Sequence, residues 1–293
     1  MTLFQAIVLG IVQGLTEFIP VSSTAHLVFA ARAVGLYAGV DKDLQAQQTT
    51  ASMAVIQLGT LLAVLVYFAR DIINITRAFV VDHWALLRGQ RRPDGNRLSN
   101  DAWLGWLVFI GSLPVGLVGL LFKEQIEGTF TKNLWVIATM MVVVAILLTI
   151  AEKVGKRNRG MAELGVVDAL AVGGAQVLSL IPGSSRSGST IMGGLFVGET
   201  RETAARFSFL LSIPAIAASG LLELREAIEK LPTDSYPSLV VATVVAGIVG
   251  YASIWFLLRF LRTHSTGVFI VYRLIVGGLI LLALAAGYLS ASV

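Results

Sequence analysis

The chain has 293 residues, 56% of them hydrophobic and only 14% charged, with a mean hydropathy of +0.79. A soluble domain carries about 25% charged residues, so this composition excludes a water-soluble fold and indicates a polytopic membrane protein. The formal charge of +4 reads as basic loops on one membrane face, not as a nucleic-acid partner, and the absence of cysteine excludes disulfides, a thiolate nucleophile and Cys-ligated metal.

The chain opens on an apolar segment, Leu3–Ile19, that lacks a basic n-region and an A-x-A site, so no cleavable signal peptide is expected. It runs into "PVSSTAH" (20–26) and then a short apolar run to Leu36. Apolar stretches near 51–69, 102–122 and 133–151 are each long enough to cross a bilayer. A second broken region follows, with Leu164–Ile181 running into "PGSSRSGST" (182–190) and a short run to Val197. Three more spans are expected near 204–222, 237–258 and 267–289. The expected fold is therefore all-α, with six transmembrane helices and two interrupted hairpins in one membrane domain over 1–293.

The two interrupted regions resemble each other. "GIVQGLTEFIPVSS" (10–23) aligns with "GGAQVLSLIPGSS" (173–185) with one gap, which divides the chain into repeats of about 1–150 and 164–293. Six arginines lie between the spans near 69 and 102 (Arg70, Arg77, Arg88, Arg91, Arg92 and Arg97), and Lys153, Lys156, Arg157 and Arg159 follow the third span. Arg259 and Arg262 follow the fifth span, whereas 223–236 holds four acids against two bases. Placing the basic segments in the cytoplasm satisfies the positive-inside rule only if each broken region enters and leaves on one side, the first from outside and the second from the cytoplasm. That makes an inverted-topology repeat whose two loops meet near the midplane, where helix N-termini favour anions.

The second loop has nearly the spacing of a nucleotide-binding P-loop, but Ser189 stands in place of the lysine and the strand context is missing, so nucleotide binding is not expected. Its chemistry still suits phosphate. Gly183 and Gly188 permit close backbone approach, Ser184, Ser185, Ser187, Ser189 and Thr190 offer hydroxyls, and Arg186 supplies a permanent bidentate cation. In the first region Gln13 and Glu17 are spaced i, i+4 and share a helix face, placed for cation binding or proton transfer. Ser23 and His26, spaced i, i+3, read as a hydroxyl nucleophile with a neighbouring base, or as a histidine nucleophile with a polar helper. Arg273 lies inside the last span, either snorkelling to an interface or making a second phosphate contact. Gln57 reads as an interhelical hydrogen bond, and His83 and His264 fall in basic loops.

These residues resemble the undecaprenyl-diphosphate phosphatase (bacitracin-resistance) family. Gln13-x-x-x-Glu17 matches its [EQ]-x-x-x-E motif, "PGSSRSGST" matches P-G-x-S-R-S-x-x-T, and "GLTEFIPVSSTAH" (14–26) is similar to its N-terminal signature. The resemblance implies hydrolysis of undecaprenyl diphosphate to the monophosphate, recycling the lipid carrier for cell-wall synthesis, with a divalent cation such as Mg²⁺ or Ca²⁺. It implies functional positions at Gln13, Glu17, Ser23, His26, Ser185, Arg186, Ser187, Thr190 and Arg273. The expected setting is the bacterial plasma membrane, with membrane lipid and a lipid diphosphate as partners and the pocket open to the outer face. Small-residue runs "GLVGL" and "VAGIVG" admit a homodimer but equally serve internal packing. A transporter or flippase is the alternative, since inverted repeats are also a transporter architecture. An acid-phosphatase-like lipid phosphatase is excluded, because Ile191 and Met192 occupy the neighbourhood where its histidine belongs.

Overall fold

The computed structural model of the chain describes residues 1–90, 97–122, 125 and 133–291. It is 80% helical, with no strand among the described residues. In chain order the helices are α1 (Leu3–Phe18), α2 (Ser23–Ala33), α3 (Lys42–Tyr67), α4 (Ala69–Leu87), α5 (Asn100–Leu121), α6 (Leu134–Val154), α7 (Val166–Val177), α8 (Arg186–Phe196), α9 (Arg201–Lys230), α10 (Tyr236–Leu261) and α11 (Gly267–Ala285). Six are long and apolar enough to cross a membrane, namely α3, α5, α6, α9, α10 and α11, which are the six expected from sequence. Polar caps start several of the helices. Thr2 and Gln5 form a capping box on α1, Asp41 accepts from the Asp43 and Leu44 amides, and Thr200 accepts from Thr203; each cap is worth roughly 1 kcal/mol. The Asp41 cap explains why α3 starts well before the apolar stretch at 51.

The segment expected as a basic loop is different. Residues 69–87 form α4, so His83 lies on a helix, not in a loop. His83 Nε2 accepts from Trp106 Nε1 at 3.0 Å, and its Nδ1 lies 2.6 Å from the Phe79 carbonyl oxygen. Arg91 and Arg92 lie outside the described residues.

The short helices pack in a crossed pattern. α1 lies along α10 and α7 along α5, so the first helix of each short pair rests on a long helix from the other half of the chain. The remaining long helices pair α3 with α9 and α6 with α11. Small residues allow the approach: a Cβ on Gly10 would lie 2.6 Å from the Ala242 carbonyl oxygen, and one on Gly173 would lie 2.1 Å from that of Gly111. The "VAGIVG" run is used inside the chain, where Gly247 faces Gly59 and Gly250 faces Phe18.

At the basic end, Arg201 and Thr266 both donate to Glu152, joining α6, α9 and the start of α11. Arg159 grips Asp168 beside them. Between α8 and α9, Glu199 is fully buried and neither carboxylate oxygen has a hydrogen-bond partner among the described residues. Burial, and then the nearby charge of Asp168, push its pKa from 4.5 to about 8, against the opposing pull of Arg159. The folded state therefore binds a proton that the unfolded chain releases. This contribution is full below pH 4.5 and is lost as pH rises towards about 8. Glu199→Gln should raise the melting temperature by an amount that grows between about pH 5 and pH 8. A difference independent of pH, measured by thermal scans in detergent, would contradict the buried-acid reading.

Candidate active site

The site begins at the last turn of α1. Glu17 is buried there, and its carboxylate is held on both oxygens: Gln13 Nε2 donates to Oε2 at 3.1 Å and Gln57 Nε2 to Oε1 at 3.3 Å. Gln13 also reaches Thr60 Oγ1 at 3.4 Å, and Thr60 in turn donates to the Gln57 carbonyl at 2.7 Å. The second partner of Glu17 Oε1 is Arg186 Nη2, from a residue 169 positions away. The structure thus brings Gln13 and Glu17 together with Arg186, as expected from sequence. A cavity of about 10 Å³, room for a single water, lies against the pair and is lined by Glu17, Arg186, Ser187, Ser208 and Ser212.

Arg186 is the first residue of α8, and Ser23 is the first residue of α2. The alignment by prolines pairs Ser23 with Ser185 instead. The difference arises because the second turn is one residue longer. It contains Gly183 at φ +94° and Ser185 at φ +67°, whereas the first has only Ser22 at φ +80° in the left-handed region. Serine in that region costs of order 1 kcal/mol or more, so both turns are held by their surroundings. Ser185 Oγ accepts from the Gly188 amide at 3.1 Å and lies 3.2 Å from Ser187 Oγ.

Most of the Ser/Gly loop builds the turn and does not face the cleft. Ser184 is fully buried and donates to the Ile181 carbonyl. Thr190 donates to the Arg186 carbonyl at 2.7 Å and is bonded to Ser208. Ser189 is buried with no partner for its hydroxyl. A Cβ on Gly183 would lie 2.1 Å from the Ile137 carbonyl oxygen, so this glycine serves close packing on α6. Of residues 183–190, Ser185 and Arg186 alone are partly exposed.

Arg273 does not snorkel to an interface. Its side chain is fully buried and donates to the carbonyls of Pro20 in the first turn and of Gly183 and Ser184 in the second. It also donates to Met140 and Met141 of α6. It clamps the two turns to each other.

Ser23 and His26 do not bond to each other. The Ser23 hydroxyl is half-buried and makes no hydrogen bond among the described residues. His26 Nδ1 lies 2.7 Å from the Ser22 carbonyl, which fixes the proton on Nδ1 and leaves the Nε2 lone pair for the Tyr272 hydroxyl at 2.6 Å. The two rings stack with centroids 5.6 Å apart. Tyr272 went unremarked in the sequence, although it adjoins Arg273. Gln57 was read as an interhelical bond, which it is, but its acceptor is the central carboxylate. Ser208 carried no signal beyond being a serine in an apolar span.

A model of the family described as "Bacitracin resistance protein BacA" matches residues 6–279. The chain belongs to that family. It is similar over most of its length to several proteins named "Undecaprenyl-diphosphatase". One from Syntrophobacter fumaroxidans is 50% identical over 96% of this chain and 97% of the relative. One from Chlorobium limicola is 48% identical over the full length of both. One from Mycolicibacterium gilvum is 45% identical over 99% of this chain and all of the relative.

The clamp in this family member has a distinguishing test. Charge-assisted hydrogen bonds are worth roughly 1.5–3 kcal/mol each, so Arg273→Met should lower thermal stability and activity together. Loss of activity at an unchanged melting temperature would instead restore Arg273 as a ligand contact.

Proposed function

We propose that this chain hydrolyses undecaprenyl diphosphate to undecaprenyl monophosphate and inorganic phosphate, and so recycles the lipid carrier for cell-wall synthesis. The observation that carries the reading is the buried Glu17–Arg186 pair, which joins a carboxylate and a phosphate-binding cation from two motifs far apart in the chain. The names of the full-length relatives agree with it.

In this reading each short helix pair dips into the bilayer and returns to its own side, in an inverted repeat. A hydrocarbon core of roughly 30 Å needs about 20 helical residues. α1 has 16, α2 and α8 have 11 and α7 has 12. The crossed packing of α1 on α10 and α7 on α5 supports two-fold related halves. Loop charge supports a bacterial plasma membrane setting with the basic end in the cytoplasm, and in this reading the substrate enters from the outer face. The prenyl tail then lies among the spans, with the diphosphate at the turns.

With the substrate bound, its phosphates replace Glu17 on Arg186, whose planar guanidinium suits bidentate phosphate contact. Arg186 and the α8 N-terminus offset the charge that spreads over the transferring group. The Ser23 hydroxyl attacks the terminal phosphorus in line, and the bond to the bridging oxygen breaks to release undecaprenyl monophosphate. His26 Nε2 turns from Tyr272 to take the Ser23 proton. Water then cleaves the phosphoserine, freeing inorganic phosphate and restoring the hydroxyl. A second reading has His26 Nε2 attack directly, favoured by the Ser22 carbonyl bond that leaves this nitrogen unprotonated.

The donor set fits a hard divalent cation, Mg²⁺ or Ca²⁺. Gln13 Oε1 is buried without a partner beside the Glu17 carboxylate, giving oxygen donors from both residues. No group of three or more carboxylate or histidine ligands exists among the described residues, so the cation would share its coordination with substrate phosphate. Such a cation supplies further charge neutralisation.

Phosphate release from a long-chain prenyl diphosphate in detergent tests the function. Arg186→Ala and Glu17→Gln should each reduce it by about a hundredfold or more, with the proteins still folded. Near-normal turnover in Arg186→Ala would contradict the reading. Absence of phosphate release by the wild type, with lipid movement in proteoliposomes, would replace it with a transporter. Acid-stable phosphoserine in quenched reactions identifies Ser23 as the nucleophile, and acid-labile phosphohistidine identifies His26.

A further inference from the structure

Helix α4 takes no part in the site, and its two faces differ sharply. Inwardly, Ile75 and Phe79 pack on Gly105 of α5, and Phe79 stacks on His83 with centroids 4.2 Å apart. Both acids are already engaged: Asp71 pairs with Arg206 of α9, and Asp82 is buried, accepting from the amide and hydroxyl of Ser99. The outward face carries Ile73, Val80, Trp84 and Leu87, all more than half exposed. Beside that stripe run Arg70, Arg77 and Arg88. Intervals of 7 and 18 residues from Arg70 are close to whole numbers of helical turns, so the three arginines form one row. Arg70 and Arg77 make no hydrogen bond or ion pair among the described residues, and Arg88 lies over the Trp84 ring at 4.8 Å.

We propose that this face is a docking surface for anionic lipid headgroups. The apolar stripe with its tryptophan enters the boundary between acyl chains and headgroups, while the arginine row meets phosphates. Helix α4 stands where that boundary must lie, since it follows one end of the span α3 and leads into the matching end of α5. Charge argues against a second copy as occupant. A two-fold contact through this face would set one arginine row against its twin with no acid between them. A neutral lipid surface would satisfy the stripe and leave the row without counter-charge.

Trp84 supplies the probe. The protein is reconstituted in phosphatidylcholine vesicles containing a fixed fraction of either brominated phosphatidylglycerol or brominated phosphatidylcholine. Quenching due to Trp84 is taken as the difference between wild type and Trp84→Phe. Brominated phosphatidylglycerol should quench more strongly, and the preference should fall by about fivefold for each arginine replaced in the Arg70→Gln, Arg77→Gln, Arg88→Gln series. High salt should weaken it. Equal quenching by the two lipids, or a preference unchanged in the triple variant, would overturn the proposal. Absence of Trp84-dependent quenching would also overturn it, because the face would then be covered by protein or water.

Discussion

A single ion pair organises this molecule. Glu17 ends the first helix of one half of the chain, Arg186 begins the second short helix of the other, and the bond between them joins the halves at their most polar point. An arginine or glutamate buried without a partner costs several kcal/mol, so each side chain offsets the burial of the other, and a ligand can substitute for either. The polar neighbours follow from the same constraint. Gln13 and Gln57 donate to the carboxylate, and Thr60 braces both amides by accepting from Gln13 and donating to the Gln57 carbonyl. The pair is also a natural point of exchange, since phosphate competes for the guanidinium and a cation for the carboxylate.

The pair stays in place because the backbone around it is pinned. Arg273 satisfies three carbonyls in the two turns and two more on α6, and a buried carbonyl left without a donor is costly. Crossed packing reinforces the pinning: α1 rests on α10 and α7 on α5, so neither turn can shift without disturbing a span from the other half. Glycines at these crossings are therefore structural, and the left-handed serines at 22 and 185 are strained positions that the clamp maintains.

The sequence announces the spans and the two special turns because both rest on local signals. Twenty apolar residues read as a helix whatever surrounds them, and Pro with Ser and Gly inside such a run reads as a break. The Glu17–Arg186 pairing is legible for a different reason, because each residue stands at one of two similar interruptions of the apolar pattern. What the sequence withholds depends on direction. Nothing in "FIVYRLIVGG" says that Arg273 points at carbonyls and Tyr272 at a histidine, because both follow from the rotation of α11. Ser184, Ser189 and Thr190 look like an array of hydroxyl donors in one dimension, yet helix geometry turns them inwards. The α4 helix was hidden by its arginines, which mask an amphipathic period when average polarity is read first.

The most direct test of this picture is proximity across the two halves. The chain has no native cysteine, so Glu17→Cys with Arg186→Cys, treated with a short bifunctional thiol reagent in the native membrane, reports the contact alone. Cleavage between the halves, for instance at a protease site inserted within 91–96, should leave the two fragments joined until the link is reduced. Efficient single labelling of both cysteines with no joined fragments would show that positions 17 and 186 do not meet.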